Sequence, residues 1–153
     1  MIVFIENGFD FTRSETTGIL EIGFGTGLNA LLTLNQARLN GRKVNYTAIE
    51  KYPLNEDITE KLNYNTWGGK ELEGIYRKLH EAPWNRETEI TESFKLTKLH
   101  IDFTSCDIYG SFGLIYFDAF GPDKQPEMWD EGLFRKIGSV TLQGGVLVTY
   151  SAK

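Results

Sequence analysis

The feature that most constrains the fold is a glycine cluster, Gly23, Gly25 and Gly27, within the stretch ILEIGFGTGLNALLTL. A short apolar run precedes the cluster and a leucine-rich segment follows it. Glycine lets a backbone approach a ligand closely, and the first N–H groups of a helix have no partner inside that helix. The pattern predicts a parallel strand, a helix that starts at once, and a ligand pocket at their junction. A tight turn without a ligand is the alternative.

The rest of the chain alternates between apolar strands and helical segments. The pattern predicts five strands, at 18–25, 43–53, 96–101, 112–122 and 144–152. It predicts helices at 28–41, 54–62, 70–80 and 128–140, with NTWGG as the breaker between the second and the third. The stretch 82–95 is interpreted as a loop. This order predicts an α/β fold with a doubly wound, mostly parallel sheet.

Size and composition indicate one domain, 1–153, with a core of its own. The chain has 153 residues, of which 41% are hydrophobic. It has no apolar run of the roughly 20 residues that span a bilayer and no signal-peptide pattern at its start, which predicts a soluble, cytoplasmic protein without a membrane partner. A lone cysteine, Cys106, and two isolated histidines, His80 and His100, predict neither a disulfide nor a metal site. The net charge of −5 argues against a protein that coats nucleic acid, but it allows a local basic footprint.

The spacing of the glycines narrows the choice of ligand. A dinucleotide fingerprint, G-x-G-x-x-G, needs its third glycine where this chain has Leu28. The loop therefore fits S-adenosylmethionine better than a nicotinamide cofactor. Glu50, at the end of the second strand, is placed to accept hydrogen bonds from ribose hydroxyls, which either cofactor offers. A solvated acid at the end of a strand is the alternative interpretation.

Two further strand ends carry candidate residues. Asp102 closes the third strand, where it can accept a hydrogen bond from an adenine amino group, with Phe103 as an apolar wall. Asp102 is also a common turn residue type. Asp118 ends the buried fourth strand and opens the segment DAFGPDKQPEMW, which we expect to cross the mouth of the pocket. There Phe120 is interpreted as a stacking face for a base, whereas Trp129 is interpreted as a cap on the core.

Several segments together resemble the methyltransferase domain of MnmC-type tRNA-modifying proteins, in particular stand-alone relatives without the flavin domain. The segments are EIGFGTGLNALL, YTAIEKYPL, LHEAPWN, FDAFGPDKQPEMW and GGVLVTYSAK. The resemblance implies a Rossmann-like fold and methyl transfer from S-adenosylmethionine to 5-aminomethyl-2-thiouridine at the tRNA wobble position. It implies cofactor contacts at Glu21, Gly23, Gly25, Gly27, Asn29, Glu50 and Asp102, and an active-site acid at Asp118. It also implies a tRNA partner and a separate flavin enzyme that supplies the aminomethyl precursor.

The chain differs from the family at both ends, where family members carry an additional N-terminal segment and a C-terminal helix with antiparallel strands. We therefore expect the chain to be truncated and to lack those strands. Among the basic residues, Lys124 is closest to the proposed chemistry and is interpreted as a phosphate contact. The others are interpreted as solvated helix faces: Arg38, Arg42, Lys43, Arg77 and Lys78.

Three alternatives stay open at this point. The chain could methylate a small-molecule or protein amine with the same cofactor residues. It could bind S-adenosylmethionine, or only a partner chain, without turnover. A nicotinamide oxidoreductase is the least favoured alternative, because of Leu28.

Overall fold

The computed structural model describes residues 2–62 and 69–150. The chain begins with a helical turn, α1, that continues as a π-helical turn, Ile5–Phe9. The helices are α1 (Ile2–Phe4), α2 (Leu28–Leu39), α3 (Glu56–Lys61), α4 (Gly69–Glu81) and α5 (Glu131–Val140), with a 3₁₀ turn at Pro126–Trp129. The strands are β1 (Thr16–Ile22), β2 (Lys43–Glu50), β3 (Arg86–Thr91), β4 (Phe94–His100), β5 (Phe112–Phe117) and β6 (Thr141–Thr149).

The six strands form one sheet in the order β3-β4-β2-β1-β5-β6. Every neighbouring pair is parallel except β3 and β4. The predicted doubly wound, mostly parallel sheet is therefore confirmed. Strand β1 pairs with β2 on one side and with β5 on the other, so the strand order changes direction there. In open α/β sheets, ligands bind at the carboxyl ends of the strands beside such a switch point.

Helices cover both faces of the sheet. On one face, Ile19, Tyr46 and Tyr116 are buried under α2, α4 and the N-terminal turns. On the other face, Ile22 and Phe117 are buried with apolar residues of α5. Within the described ranges, no helix has the length and apolar character that crossing a bilayer requires.

The interval predicted to be a loop contains strand β3. It pairs antiparallel with β4, with Thr88 opposite Leu96. The prediction was wrong because β3 lies at the edge of the sheet and has a single buried residue, Ile90, so it lacks the apolar run of the central strands. Its β-branched residues nevertheless favour an extended strand.

Most other element boundaries agree with the prediction to within three residues, but the strand predicted at 112–122 ends at Phe117. Strand β6 begins at Thr141 rather than at 144, directly after α5, and its register with β5 shifts between Phe112 and Leu114. The end predicted for this strand, at 151–152, and most of the NTWGG breaker lie outside the described residues.

Arg42 was expected on a solvated face and is instead a structural cation. Its guanidinium donates to the carbonyl oxygen of Phe9 at 2.7 Å and to that of Ser14 at 3.0 Å. It also donates to the hydroxyl of Thr17 at 2.8 Å and lies 3.7 Å from the centre of the Phe9 ring. Arg42 therefore fastens the N-terminal turns to the start of β2, and its donors are used within the chain.

Candidate cofactor and active site

The glycine loop between β1 and α2 adopts a backbone that favours glycine. The φ angles of Gly23, Gly25 and Gly27 are 96°, 52° and 77°. A Cβ atom on Gly23 would lie 3.0 Å from the carbonyl oxygen of Asp118, and one on Gly27 would lie 2.9 Å from the ring of Phe24. At Gly25 a Cβ atom would meet nothing within 4 Å. Gly23 and Gly27 therefore serve packing as well, whereas Gly25 faces open space.

Two side chains of helix α4 form hydrogen bonds with the glycine loop. The carbonyl oxygen of Thr26 accepts a hydrogen bond from the hydroxyl of Tyr76 at 3.0 Å and another from Nε2 of His80 at 2.8 Å. Burial lowers the pKa of His80, and the nearby charge of Lys98 lowers it further. The ammonium of Lys98 in turn donates to the carbonyl oxygen of His80 at 3.0 Å, at the end of α4. His80 is therefore a partly buried histidine whose ring is hydrogen-bonded within the chain. Its contact with the loop was not visible in the sequence, because 54 positions separate the partners.

The carboxylate of Glu50 also forms a hydrogen bond with the glycine loop. Its Oε2 accepts from the backbone N–H of Gly25 and its Oε1 from that of Tyr52, both at 3.0 Å. A carboxylate offers about four lone-pair sites, so the group can accept further hydrogen bonds from a ligand.

Asp102 follows β4, and both oxygens of its carboxylate already interact with other residues of the chain. Its Oδ1 accepts from the backbone N–H of Thr104 at 2.9 Å and from the hydroxyl at 2.6 Å. Its Oδ2 pairs with the ammonium of Lys51 at 2.9 Å. The hydrogen bonds from Thr104, with Lys51, lower the pKa of Asp102 to about 2. The Lys51–Asp102 pair therefore joins the ends of β2 and β4.

Phe103 lies in the hydrophobic core under α5 and is 3% exposed. The ammonium of Lys136 donates to its carbonyl oxygen at 2.8 Å. This packing favours a role in the core. The role expected from the sequence, an apolar wall beside the cofactor, stays a prediction.

A buried network connects β1 with the end of β5. Nδ2 of Asn29, in the first turn of α2, donates to Oε1 of Glu21 at 2.9 Å and to Oδ2 of Asp118 at 3.1 Å. The hydroxyl of Tyr46 donates to Oε2 of Glu21 at 2.7 Å. Glu21 is fully buried, which raises its pKa to about 8. Glu21 is closed off from solvent in this structure, and the cofactor contact that the resemblance implies for it stays a prediction. Tyr46 is a member of this network that sequence reasoning missed.

Asp118 is the member of the network that reaches solvent. Its Oδ2 accepts from Asn29 in the first turn of α2, and its backbone carbonyl oxygen lies beside Gly23 of the glycine loop. Partial burial raises its pKa to about 6, against the opposing effect of the Asn29 hydrogen bond. The charge of Glu50 raises the pKa of Asp118 further. The group can therefore accept or release a proton near neutral pH.

The segment after Asp118 forms an ordered loop with one exposed ring. Nε1 of Trp129 donates to the carbonyl oxygen of Phe120 at 2.8 Å, while its ring packs against Phe117. The prediction that Trp129 caps the core is confirmed. Phe120 itself is 64% exposed, and the ammonium of Lys124 lies 5.8 Å from the centre of its ring.

In the part of the chain that the structure describes, no group of three histidine, cysteine or acidic side chains is arranged to hold a metal ion. Two concavities in the described part of the chain are lined by residues other than the loop glycines, Glu50 and Asp118. One is a polar groove near Asp10 and Lys43 at the amino ends of the strands, and the other lies between α3 and α4.

A family described as S-adenosyl-L-methionine-dependent methyltransferase matches residues 72–153. The chain belongs to this methyltransferase family. Its cofactor is accordingly S-adenosyl-L-methionine. The matched range includes β5, Asp118 and the ordered loop after it.

Curated relatives agree with this assignment. The methyltransferase is 32% identical over 142 residues to the tRNA 5-methylaminomethyl-2-thiouridine biosynthesis bifunctional protein MnmC of Leptospira interrogans, a match that covers 87% of this chain and 22% of that protein. It is 31% identical over 163 residues to MnmC of Aeromonas salmonicida, covering 94% of this chain and 24% of that protein. The chain therefore spans about a quarter of the length of these relatives.

Among solved structures, the methyltransferase is similar to MnmC2 from Aquifex aeolicus, with a TM-score of 0.71 and 25% identity over 92% of this chain and 44% of that one. It shares its fold with a protein from Thermoplasma acidophilum described as a putative methyltransferase, at a TM-score of 0.51 and 18% identity. The Rossmann-like methyltransferase fold is thus confirmed.

The residues at the carboxyl ends of β1 and β2 fit the family's cofactor. Gly25 leaves open space beside the loop, and the carboxylate of Glu50 has acceptor capacity left for hydroxyl groups. An activated methyl group needs no metal for its transfer, and the site offers carboxylates that accept hydrogen bonds and backbone N–H groups that donate them.

Proposed function

We propose that this methyltransferase methylates the exocyclic amine of 5-aminomethyl-2-thiouridine at the wobble position of tRNA. The observation that carries the proposal is the placement of Asp118 at the carboxyl end of β5, beside the glycine loop and open to solvent. The printed names of the MnmC relatives support the choice of substrate, because adding one methyl group to an aminomethyl group gives methylaminomethyl.

We propose that the cofactor is held by the glycine loop and by the acids at the ends of β2 and β4. Gly23, Gly25 and Gly27 form the floor, and Glu50 accepts from the ribose hydroxyls. Asp102 accepts a hydrogen bond from the adenine amino group. Both of its oxygens already have partners, Thr104 at Oδ1 and Lys51 at Oδ2, so the oxygen that takes this bond is shared. Glu21 and Asn29 support the site from below.

S-adenosylmethionine supplies an activated methyl group on a sulfonium. The protein has to align an amine and receive a proton. Alkyl amines titrate near the lysine reference value of about 10.4, so most of the substrate arrives protonated. After the ammonium has lost one proton to water, we propose that Asp118 accepts a hydrogen bond from the neutral amine and orients its lone pair toward the methyl carbon. As the N–C bond forms, the bond from that carbon to sulfur breaks and a neutral thioether leaves. Asp118 then takes up the proton that the methylated nitrogen loses, and it releases this proton to water. Since a carboxylate also stabilises an ammonium group, orientation contributes more than basicity.

The rim of the cleft offers groups for the nucleic acid. We propose that Phe120 stacks on a base and that Lys124 contacts a phosphate. Arg38 pairs with Glu71 at 2.5 Å, and Arg42 donates to the N-terminal segment, so these cations are engaged within the chain. Lys124 is exposed and close to Asp118 in sequence, which favours it as the phosphate contact.

The proposed substrate also suggests a setting and a partner. We propose a cytoplasmic protein that acts as one domain over 1–153. We also propose that a separate flavin enzyme supplies the aminomethyl precursor.

The substrate is tested by offering labelled S-adenosylmethionine with three kinds of acceptor. These are tRNA that carries 5-aminomethyl-2-thiouridine, the same tRNA without the modification, and a panel of small-molecule and protein amines. We expect methyl transfer to the first tRNA alone, with 5-methylaminomethyl-2-thiouridine recovered after digestion. Transfer to the amine panel in preference to tRNA would contradict the proposed substrate. Cofactor binding without transfer to any acceptor would contradict catalysis.

A further inference from the structure

The carboxylate of Glu21 occupies an unusual environment for a charged group. It is 0% exposed, and its two oxygens accept from neutral donors, the hydroxyl of Tyr46 and the amide of Asn29. No ion pair reaches it within residues 2–62 and 69–150. An acid buried among neutral donors favours its protonated form.

The amide of Asn29 has a single orientation that satisfies this network. Its Nδ2 carries two hydrogens, one of which goes to Glu21 and the other to Asp118. If Glu21 no longer accepted the hydrogen bond from Asn29, the Asn29 amide would be free to rotate. Its second hydrogen would then no longer be held toward Asp118.

Tyr46 in turn fixes Glu21. Its ring is 1% exposed, stacks on Phe94 with 5.5 Å between ring centres, and lies 6.2 Å from the ring of Tyr116. The hydroxyl of Tyr46 therefore has little freedom to move. The chain of contacts runs from β2 through Glu21 and Asn29 to Asp118, and each of its hydrogen bonds is 3.1 Å or shorter.

We propose that Tyr46 and Glu21 are positioning residues for Asp118: they hold the Asn29 amide so that one Asp118 oxygen is occupied and the other is left for the substrate amine. This inference rests on the role proposed above for Asp118. It adds a requirement that acts through two residues whose side chains are closed off from solvent.

The consequence is a defined electrostatic effect on Asp118. The Asn29 hydrogen bond lowers the pKa of Asp118, so loosening it raises that pKa. Among the described residues, the other titratable groups that act on Asp118 are Glu50 at the end of β2, Tyr150 after β6, and Glu21 with Tyr46 in the network itself. Substitutions that leave Glu50 and Tyr150 in place isolate the contribution of the network.

The chain offers a matched control for Tyr46. Tyr116 is also a buried tyrosine on the same face of the sheet, and its hydroxyl is hydrogen-bonded to that of Thr33 at 3.0 Å rather than to Glu21. Tyr46→Phe and Tyr116→Phe each delete one buried hydroxyl. A merely structural role predicts similar effects for both variants.

The test is a pH titration of the Asp118 carboxyl carbon by NMR in the aspartate-labelled chain, assigned through Asp118→Asn. We expect the pKa of Asp118 to rise in Tyr46→Phe and in Glu21→Leu, and to stay at the wild-type value in Tyr116→Phe and in Glu21→Gln, which keeps an acceptor for Asn29. In parallel, kcat is expected to fall about tenfold in Tyr46→Phe, with its acidic limb moved to higher pH and cofactor affinity unchanged. If Glu21→Leu does not fold, the two tyrosine variants decide the matter.

Equal Asp118 titrations in Tyr46→Phe and Tyr116→Phe would overturn the inference. If Asp118→Asn abolishes methylation but the titrations do not move, the positioning role alone fails. If the titrations move as expected but the wild-type chain methylates no tRNA, the proposed function fails and the positioning role stands.

Discussion

The backbone N–H of Gly25 donates to Oε2 of Glu50 at 3.0 Å, which ties the glycine loop to the end of β2. The same carboxylate accepts from the N–H of Tyr52 with its other oxygen. Glu50 thus holds the loop in place and, in our proposal, binds the ribose as well. Removing it affects both functions at once.

Glu50→Ala is expected to weaken S-adenosylmethionine binding. Hydrogen bonds to a charged group contribute about 1.5–3 kcal/mol each, so the loss corresponds to about 10–100-fold in Kd. Isothermal titration calorimetry measures this directly. Glu87→Ala, which removes an exposed acid on the edge strand β3, is the control and is expected to leave Kd unchanged. Equal affinities for both variants would exclude a cofactor role for Glu50.

Gly25→Ala is expected to lower cofactor affinity by more than its backbone strain explains. Gly41 provides the comparison, because it also has a positive φ, 63° against 52° for Gly25, and no atom lies near a Cβ at either position. Alanine in this conformation costs about 1–2 kcal/mol of stability at either position. Urea unfolding should show similar losses, while calorimetry should show weaker S-adenosylmethionine binding for Gly25→Ala alone. Unchanged binding in Gly25→Ala would contradict the assignment of the loop.

The proton on Glu21 predicts a pH dependence of stability. Its pKa is about 8 in the folded chain and 4.5 for a free side chain, so between these values the folded state binds more protons than the unfolded state. The free energy of unfolding therefore falls as pH rises through this window, by at most about 1.4 kcal/mol per pH unit from this group. Between pH 6 and 8, urea unfolding of Glu21→Gln should show a smaller decrease than wild type. Parallel pH profiles for the two chains would mean that Glu21 is ionised throughout.

Much of this site could be predicted from the sequence, because its parts lie at strand ends. The glycines with positive φ and the acid after β5 follow from local patterns that the fold brings to one edge. Contacts between distant segments could not be predicted in this way. Tyr46 meets Glu21 across 25 positions, and His80 meets Thr26 across 54. Phe103 shows that a local pattern can also be ambiguous, because an apolar residue after a strand suits the wall of a pocket and the core of the protein equally well.

Lys124→Ala is expected to weaken tRNA binding without affecting S-adenosylmethionine binding. Losing one phosphate contact should reduce the slope of log K against log salt by about 1. Lys78→Ala, which removes an exposed lysine on α4, is the control. Filter-binding titrations at several salt concentrations distinguish the two. An identical slope for Lys124→Ala and wild type would place the phosphate contact elsewhere.

The most direct test of the account is the rate of methyl transfer to tRNA carrying 5-aminomethyl-2-thiouridine, measured under single-turnover conditions for wild type and Asp118→Asn between pH 5 and 8. Protonation of the substrate amine already lowers the rate as pH drops, and protonation of Asp118, whose pKa is about 6, should make that decrease steeper below this value in the wild-type chain. Asp118→Asn should lose methyl transfer at every pH and keep its S-adenosylmethionine affinity. A variant that transfers methyl groups at the wild-type rate, with the same pH profile, would contradict the role of Asp118.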